Sequence, residues 1–257
     1  MYFQKGFFMI NSNTFSNFNS KYPIYADLHT HSISSGHGSE DTITDMIRCA
    51  SESGLSLFGI SDHGPATSSS AKPSYFQSLK LADRDRFGIR VLYGAELNII
   101  NTAGDVDLDD EILSALDYAI ISIHPPIFKP YHDKDLSSAY IRAMDHPKVR
   151  FLGHIDDARF PVDFEYLLEI AKEKHVYPEI NNGSLMPDAY RINGQENCRR
   201  ILSICKKLDL PVLLSSDSHG KKNIGNMQYI FPLLEELDFP AHLVLNSDLS
   251  ALSDIIR

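Results

Sequence analysis

The sequence predicts an α/β protein, a single parallel barrel of seven βα units, on three observations. Short β-type runs alternate with amphipathic helical stretches from residue 24 onward, the pattern of a parallel sheet built from βα units. Almost every run delivers a His, Asp or Glu to its C-terminal end, where the rim loops of such barrels gather their reactive groups. No internal repeat or long Gly/Ser linker divides the 257 residues, a length that suits one large domain with a full core.

Taken in order, Ile24 to His29 is the first run, and Thr42 to Ser53 is the first helix, stopped by Gly54. Leu57 to Ser61 leads into Asp62-His63-Gly64-Pro65, and Ile89 to Ala95 ends in Glu96. Tyr118 to Ile123 ends in His124, Val149 to Gly153 in His154, and Val176 to Ile180 runs into Asn181-Asn182-Gly183. Pro211 to Ser216 ends in Asp217-Ser218-His219. The Thr67 to Ser70 tract reads as a flexible loop over the rim. Residues 1–21, rich in Asn, Ser and Phe, read as an N-terminal extension and not a signal peptide, leaving 22–257 as the domain.

Composition narrows the function. A formal charge of -10 lacks the Lys/Arg excess of a nucleic-acid surface, which excludes a long nucleic-acid track and suits bound divalent cations. No apolar run reaches the ~20 residues of a membrane span. Cys49, Cys198 and Cys205 form no C-x-x-C pair and read as small buried apolar residues of a reducing compartment, so a cytoplasmic location is expected.

Asp27-Leu28-His29-Thr30-His31 is the most telling segment. A His-x-His pair at a strand end sends both imidazoles to one side, half of a site for zinc, iron or manganese. Seven of the eleven histidines (His29, His31, His37, His63, His124, His154, His219), with Glu96 and Asp217, lie at or just past strand ends. The other four, His132, His146, His175 and His242, read as structural or solvated; of these, His132 lies close enough behind the His124 strand to reach substrate.

At this point the chain resembles the PHP (polymerase and histidinol phosphatase) superfamily, most closely its YcdX-like phosphatase branch. The matching segments are DLHTHS at 27–32, His37, ISDHGP at 60–65, GAELNI at 94–99 and SIHPPIF at 122–128. They continue as GHIDDARF at 153–160, PEINNGS at 178–184, ENCRR at 196–200 and SSDSHG at 215–220. The resemblance implies a distorted (β/α)7, TIM-barrel-like PHP fold holding three divalent metals, zinc first, with manganese or iron as alternatives. It places one metal on His29, His31, Glu96 and Asp217, a second on Glu96, His124 and His154, and a third on His37, His63 and His219. Glu96, Asp217 and His124 are then the residues expected to carry catalysis. The implied activity is hydrolysis of phosphate monoesters by a metal-bound hydroxide, since paired cations acidify water and clamp phosphoryl oxygens.

Around that set, Asp27 and Asp62 are candidates to orient an imidazole through its other N–H. Arg159, Arg191 and Asn182 are candidates to contact substrate, the guanidinium groups by bidentate bonds to phosphate. The expected partner is a small phosphorylated substrate, with no membrane; a homo-oligomer is left open. Histidinol phosphate as substrate, cleavage of phosphodiesters in short nucleotides, and a non-catalytic metal-stabilised module are the competing readings.

Overall fold

A computed structural model describes residues 19–125, 127–128 and 134–256. His132 and nearly all of the N-terminal extension therefore lie outside the described residues. Seven parallel strands form the barrel: β1 (Ala26–Asp27), β2 (Leu57–Ile60), β3 (Ile89–Asn98), β4 (Tyr118–Ser122), β5 (Val149–Leu152), β6 (Tyr177–Asn181) and β7 (Leu213–Ser215). They pair in chain order, each with the next. A separate two-residue parallel ladder, Ser218–His219 on Thr30–His31, brings the last βα unit back to the first and nearly closes the ring. This is the distorted seven-stranded barrel expected from the sequence, in a single domain.

Most strand ends shift by a residue or two from the sequence expectation, and two strands differ in a way that bears on the site. The first run is interrupted after Asp27 and resumes at Thr30–His31. Side chains replace the ladder there: Tyr118 Oη donates to the Leu28 carbonyl, Thr30 Oγ1 donates to the Gly59 carbonyl at 2.7 Å, and Ser61 Oγ accepts from Thr30 N at 3.2 Å. β3 runs past Ala95 to Asn98, so Glu96 sits within the strand, in register with Ile120 of β4. A side chain held in a paired strand is fixed more rigidly than one on a loop, which matters for a group at the centre of a site.

Period-two alternation sorts the strand residues onto two faces. Leu57, Leu92, Tyr118, Ile120, Phe151 and Leu213 share one apolar cluster, capped by Leu252 and Ile256 of the helix Leu249–Ile256. Their neighbours Phe58, Val91, Ala119, Ile121, Leu152 and Leu214 join the larger cluster under the helices. Leu92, Gly94 and Glu96 are on one face of β3, and Tyr177 and Glu179 on one face of β6, so both glutamates project from the face of the inner cluster. The first helix is Ile43–Glu52, one residue shorter at each end than predicted, because Thr42 and Ser53 serve as its caps. Thr42 accepts from Asp45 N while the Asp45 side chain accepts from Thr42 N, a capping box that starts the helix, and Met46, Ile47 and Ala50 are its buried face. Among the described residues no helix is long and apolar enough to cross a membrane.

Candidate metal centre

Glu96 is buried at the middle of the C-terminal mouth, ringed by five imidazoles. Its Oε1 lies 2.8 Å from His154 Nε2, 3.3 Å from His124 Nε2 and 3.4 Å from His29 Nε2. Its Oε2 lies 2.6 Å from His63 Nδ1 and 3.6 Å from His31 Nε2. Asp217 closes one side, with Oδ1 3.1 Å from His31 Nε2 and 3.7 Å from His29 Nε2. His219 and His37 stand behind His63: the His37 ring stacks on His63 with centroids 4.9 Å apart and lies 5.2 Å from His219. All nine residues picked from the sequence thus converge on one pocket.

Three groups of ligand atoms are close enough to share a cation: His29, His31 and Glu96; His63, Glu96 and His124; and His31, His63 and His219. Only the first lies within a set implied by the resemblance; the second adds His63 to Glu96 and His124, and the third adds His31 to His63 and His219. His31 and His63 therefore sit between neighbouring groups.

The donor set fits divalent metal on an observation of its own. His29 Nε2, His31 Nε2, His63 Nδ1 and Glu96 Oε2 are buried and make no hydrogen bond among the described residues, although opposite charges lie close by. Buried polar atoms are otherwise almost always satisfied, and four of them facing one space are what a cation would satisfy. Imidazole and carboxylate together suit zinc, manganese or iron.

Three imidazoles, those of His29, His31 and His124, are aimed by a bond on the far nitrogen. His29 Nδ1 donates to Glu179 Oε1 at 2.5 Å, leaving Nε2 for the centre. Glu179 also accepts from His154 N at 2.7 Å, from Ser215 Oγ and from Asn181 Nδ2. His31 Nδ1 donates to Ser35 Oγ at 3.0 Å, and Ser35 Oγ donates in turn to Asp62 at 2.7 Å. His124 Nδ1 donates to Asn98 Oδ1 at 2.7 Å, and Asn98 is pinned by Asp107 through both its backbone N and its Nδ2. Gly64 gives that chain room, since a Cβ there would collide with the Asp107 carboxylate.

Electrostatics follow from this packing. Burial alone would raise Glu96, but the imidazoles of His124, His29 and His63 hold it well below the usual carboxylate range. Asp217 is likewise buried and is held well below its ordinary value by His29, His31 and Arg191. Burial, with His63 and His219 beside it, pushes His31 well below the imidazole range and keeps it neutral, the state a metal ligand requires. Burial would lower His29 too, but the carboxylates of Glu179, Glu96 and Asp217 raise it well above. His154 and Asp217 adopt positive φ, 28° and 52°, a backbone cost that accumulates at functional sites.

The remaining candidates fall on both sides of expectation. Arg191 lines the cavity and its Nη2 donates to Asp217 Oδ2 at 2.7 Å, so one Asp217 oxygen is clamped while the other faces the imidazoles. Arg159 is not among the lining residues, because Asp157 claims its guanidinium: Nε donates to both carboxylate oxygens at 2.9 Å. Asn182 is buried, outside the lining, and accepts from Tyr229 N at 3.0 Å, so it ties two distant segments together, while Asn181 holds the local turn by accepting from Gly183 N at 2.9 Å. Asp27 accepts from Ser216 N and Oγ and from Gly225 N, so it fastens the loop carrying Asp217 and, among the described residues, makes no hydrogen bond to an imidazole. Asp62 reaches His31 only through Ser35. Thr67, Ser68 and Ser69 line the cavity mouth, and Ser70 ties back to the carbonyls of His63 and Gly64.

Glu179, Asn98 and Asp107 were missed from sequence. Glu179 had a visible signal, an acid in the middle of the apolar run Val176 to Ile180, where a carboxylate needs a partner. His146 and His242 pair with Asp110 and Asp209 away from the site, as surface histidines do. Cys198 and Cys205 are buried on the helix Gly194–Leu208 as expected, whereas Cys49, on the helix Ile43–Glu52, is only half-buried; all three are free.

Residues 27–183 match the PHP domain family. A protein of Clostridium acetobutylicum named "Probable phosphatase" is 37% identical over 222 residues, 86% of this chain and 90% of that protein. One of the same name from Acetivibrio thermocellus is 33% identical over 231 residues, 90% of this chain and 94% of that protein. Among solved structures, histidinol phosphate phosphatase from Lactococcus lactis, complexed with zinc, L-histidinol and phosphate, aligns with a TM-score of 0.58 at 20% identity, over 84% of this chain and 94% of that chain. At that identity the likeness concerns the fold. By its family match and its close relatives, the chain belongs to the PHP domain family.

Proposed function

We propose that this PHP-family phosphatase hydrolyses phosphate monoesters of small molecules at a trinuclear divalent-metal centre, zinc first. The observation that carries the reading is the Glu96 carboxylate ringed by His29, His31, His63, His124 and His154, with buried ligand atoms left unpartnered. His29, His31, Glu96 and Asp217 would hold one ion, Glu96, His124 and His154 a second, and His37, His63 and His219 a third. Bound divalent cations supply Lewis acidity, an acidified water and charge neutralisation for a phosphoryl group.

The chain's own residues do the rest. A two-oxygen carboxylate can face two cations at once, which an imidazole cannot, and Glu96 is the residue placed to do so. Glu179 holds the His29 tautomer that leaves Nε2 facing the centre. Arg191 neutralises the outer oxygen of Asp217 and presents a guanidinium at the cavity wall, where a phosphoryl oxygen can accept from it. Asn98 and Asp107 keep His124 aimed inward. The motif set favours the YcdX-like branch, and a small substrate fits the charge balance.

The test is phosphate release from an aryl phosphate by protein of measured metal content. Release that chelation abolishes and added zinc or manganese restores supports the reading. A metal-replete protein that frees no phosphate from a panel of monoesters would overturn it.

A further inference from the structure

Beside the metal centre, the cavity of about 520 Å³ has a wall that ligand chemistry does not explain. Its size is that of a site for a whole small molecule and not for phosphate alone. Apart from the imidazoles and the Thr67–Ser69 mouth, the wall includes Tyr190, Arg191, Pro125 and Ile127. Tyr190 is 72% exposed, unusual for a large aromatic ring. It is nevertheless fixed in place. The Arg159 guanidinium lies over the ring, 4.1 Å from its centroid. Arg159 is itself locked by Asp157, which is buried and accepts from Arg159 Nε and Nη2. The two loops are stitched together by Ala158 N donating to the Ile192 carbonyl at 2.9 Å. One face of the ring is thus occupied by a cation and the ring is held at the cavity wall before any ligand arrives.

We infer that Tyr190, backed by Arg159 and Asp157, is a stacking platform that selects phosphate monoesters whose leaving group is a planar aromatic ring. This rests on the phosphatase reading and adds the substrate class. Tyr190 and Arg191 are adjacent in sequence and line the same cavity, so an aromatic group on the first and a phosphoryl group at the second belong to one small molecule. Among the described lining residues the carboxylates are Glu96 and Asp217, both committed to the centre. None remains to receive an ammonium group, which separates an aryl leaving group from an amino alcohol. The pre-placed ring loses little freedom on binding, and that is where a single stacking contact gains its effect. Arg159 and Asp157 are positioning residues in this scheme.

The experiment titrates metal-loaded protein with phenylphosphonate and methylphosphonate by calorimetry, and measures kcat/KM for phenyl phosphate and glycerol phosphate. Wild type is expected to prefer the phenyl ligand by about tenfold, in affinity and in kcat/KM alike. Tyr190→Ala is expected to abolish the preference, Tyr190→Phe to keep it, and Arg159→Ala to weaken it. A wild type that binds both phosphonates equally, or a preference untouched in Tyr190→Ala, overturns the inference. The two readings fail separately: protein that hydrolyses no monoester sinks the phosphatase reading, while the phosphonate titrations still judge Tyr190.

Discussion

His31 and His219 are register partners in the parallel ladder that brings the ends of the barrel together, and their rings lie 4.3 Å apart. The closure of the fold and the assembly of the centre are therefore one event: residues 188 positions apart in sequence become neighbours when the last unit docks on the first. The site cannot form on a partly closed barrel, and whatever binds between these imidazoles holds the barrel shut.

Metal removal should therefore loosen the whole domain. Chelation is expected to lower the melting temperature by roughly 5 °C or more, because a ligand bound only by the native state stabilises it by mass action. Differential scanning fluorimetry with and without chelator, and with zinc returned, checks this. An unchanged transition in protein shown by elemental analysis to have lost its metal would contradict the coupling.

Glu179→Gln changes one charge in the barrel interior and leaves the volume intact. The carboxamide can no longer serve His29 Nδ1, His154 N and Ser215 as a common anionic acceptor. Metal content per chain is expected to fall, and activity to drop by about 10- to 100-fold. Elemental analysis and kcat are the measurements, with circular dichroism to confirm the fold.

Arg191→Ala removes the clamp on Asp217 Oδ2 and a guanidinium from the cavity wall. A charge-assisted bond of this kind sets the scale, so kcat/KM is expected to fall by about 10- to 100-fold. Inhibition by inorganic phosphate should weaken in parallel, which distinguishes lost phosphate contact from a general loss of structure. Arg159→Ala is not expected to weaken phosphate inhibition, since Asp157 already holds that side chain.

Asp156 is fully buried, and neither carboxylate oxygen has a hydrogen-bond partner among the described residues. Burial raises its pKa to about 6, with Arg191 opposing part of that. The native state thus holds this proton where the unfolded chain has lost it, so stability falls as pH rises from about 4 to about 6 and the penalty is complete above 6. Asp156→Asn should relieve it. The variant's stability relative to wild type is expected to improve from pH 4 to pH 8 by on the order of 3 kcal/mol. Urea titrations at the two pH values read this difference, and a pH-independent offset would contradict it.

Much of the fold was legible because period-two apolar runs and a polar residue at each run's end are local properties. The seven strands lie where those runs are, and their ends shift by a few residues where side chains take over ladder bonds, as Tyr118 and Thr30 do around Leu28. The residues of the centre were legible for the same reason, since most stand at or just past a strand end; Glu96, which closes the apolar run in sequence, lies inside the longer strand that the structure forms. Arg159 and Arg191 were indistinguishable along the chain. Only packing shows that Asp157 takes one guanidinium while the other reaches Asp217.

The sequence by itself determined the repeating βα pattern, the chemistry of the rim and the family resemblance, because those depend on residue type and spacing alone. Tertiary structure decided which groups stand behind the imidazoles. Glu179 reaches His29 across 150 positions and Asp107 reaches His124 through Asn98, contacts that exist only once the strands are in register. It also decided that Tyr190 stands at the cavity wall, backed by Arg159. Orientation of a side chain is set by what packs against it, and that information is held by the closed barrel and not by any one segment of the chain.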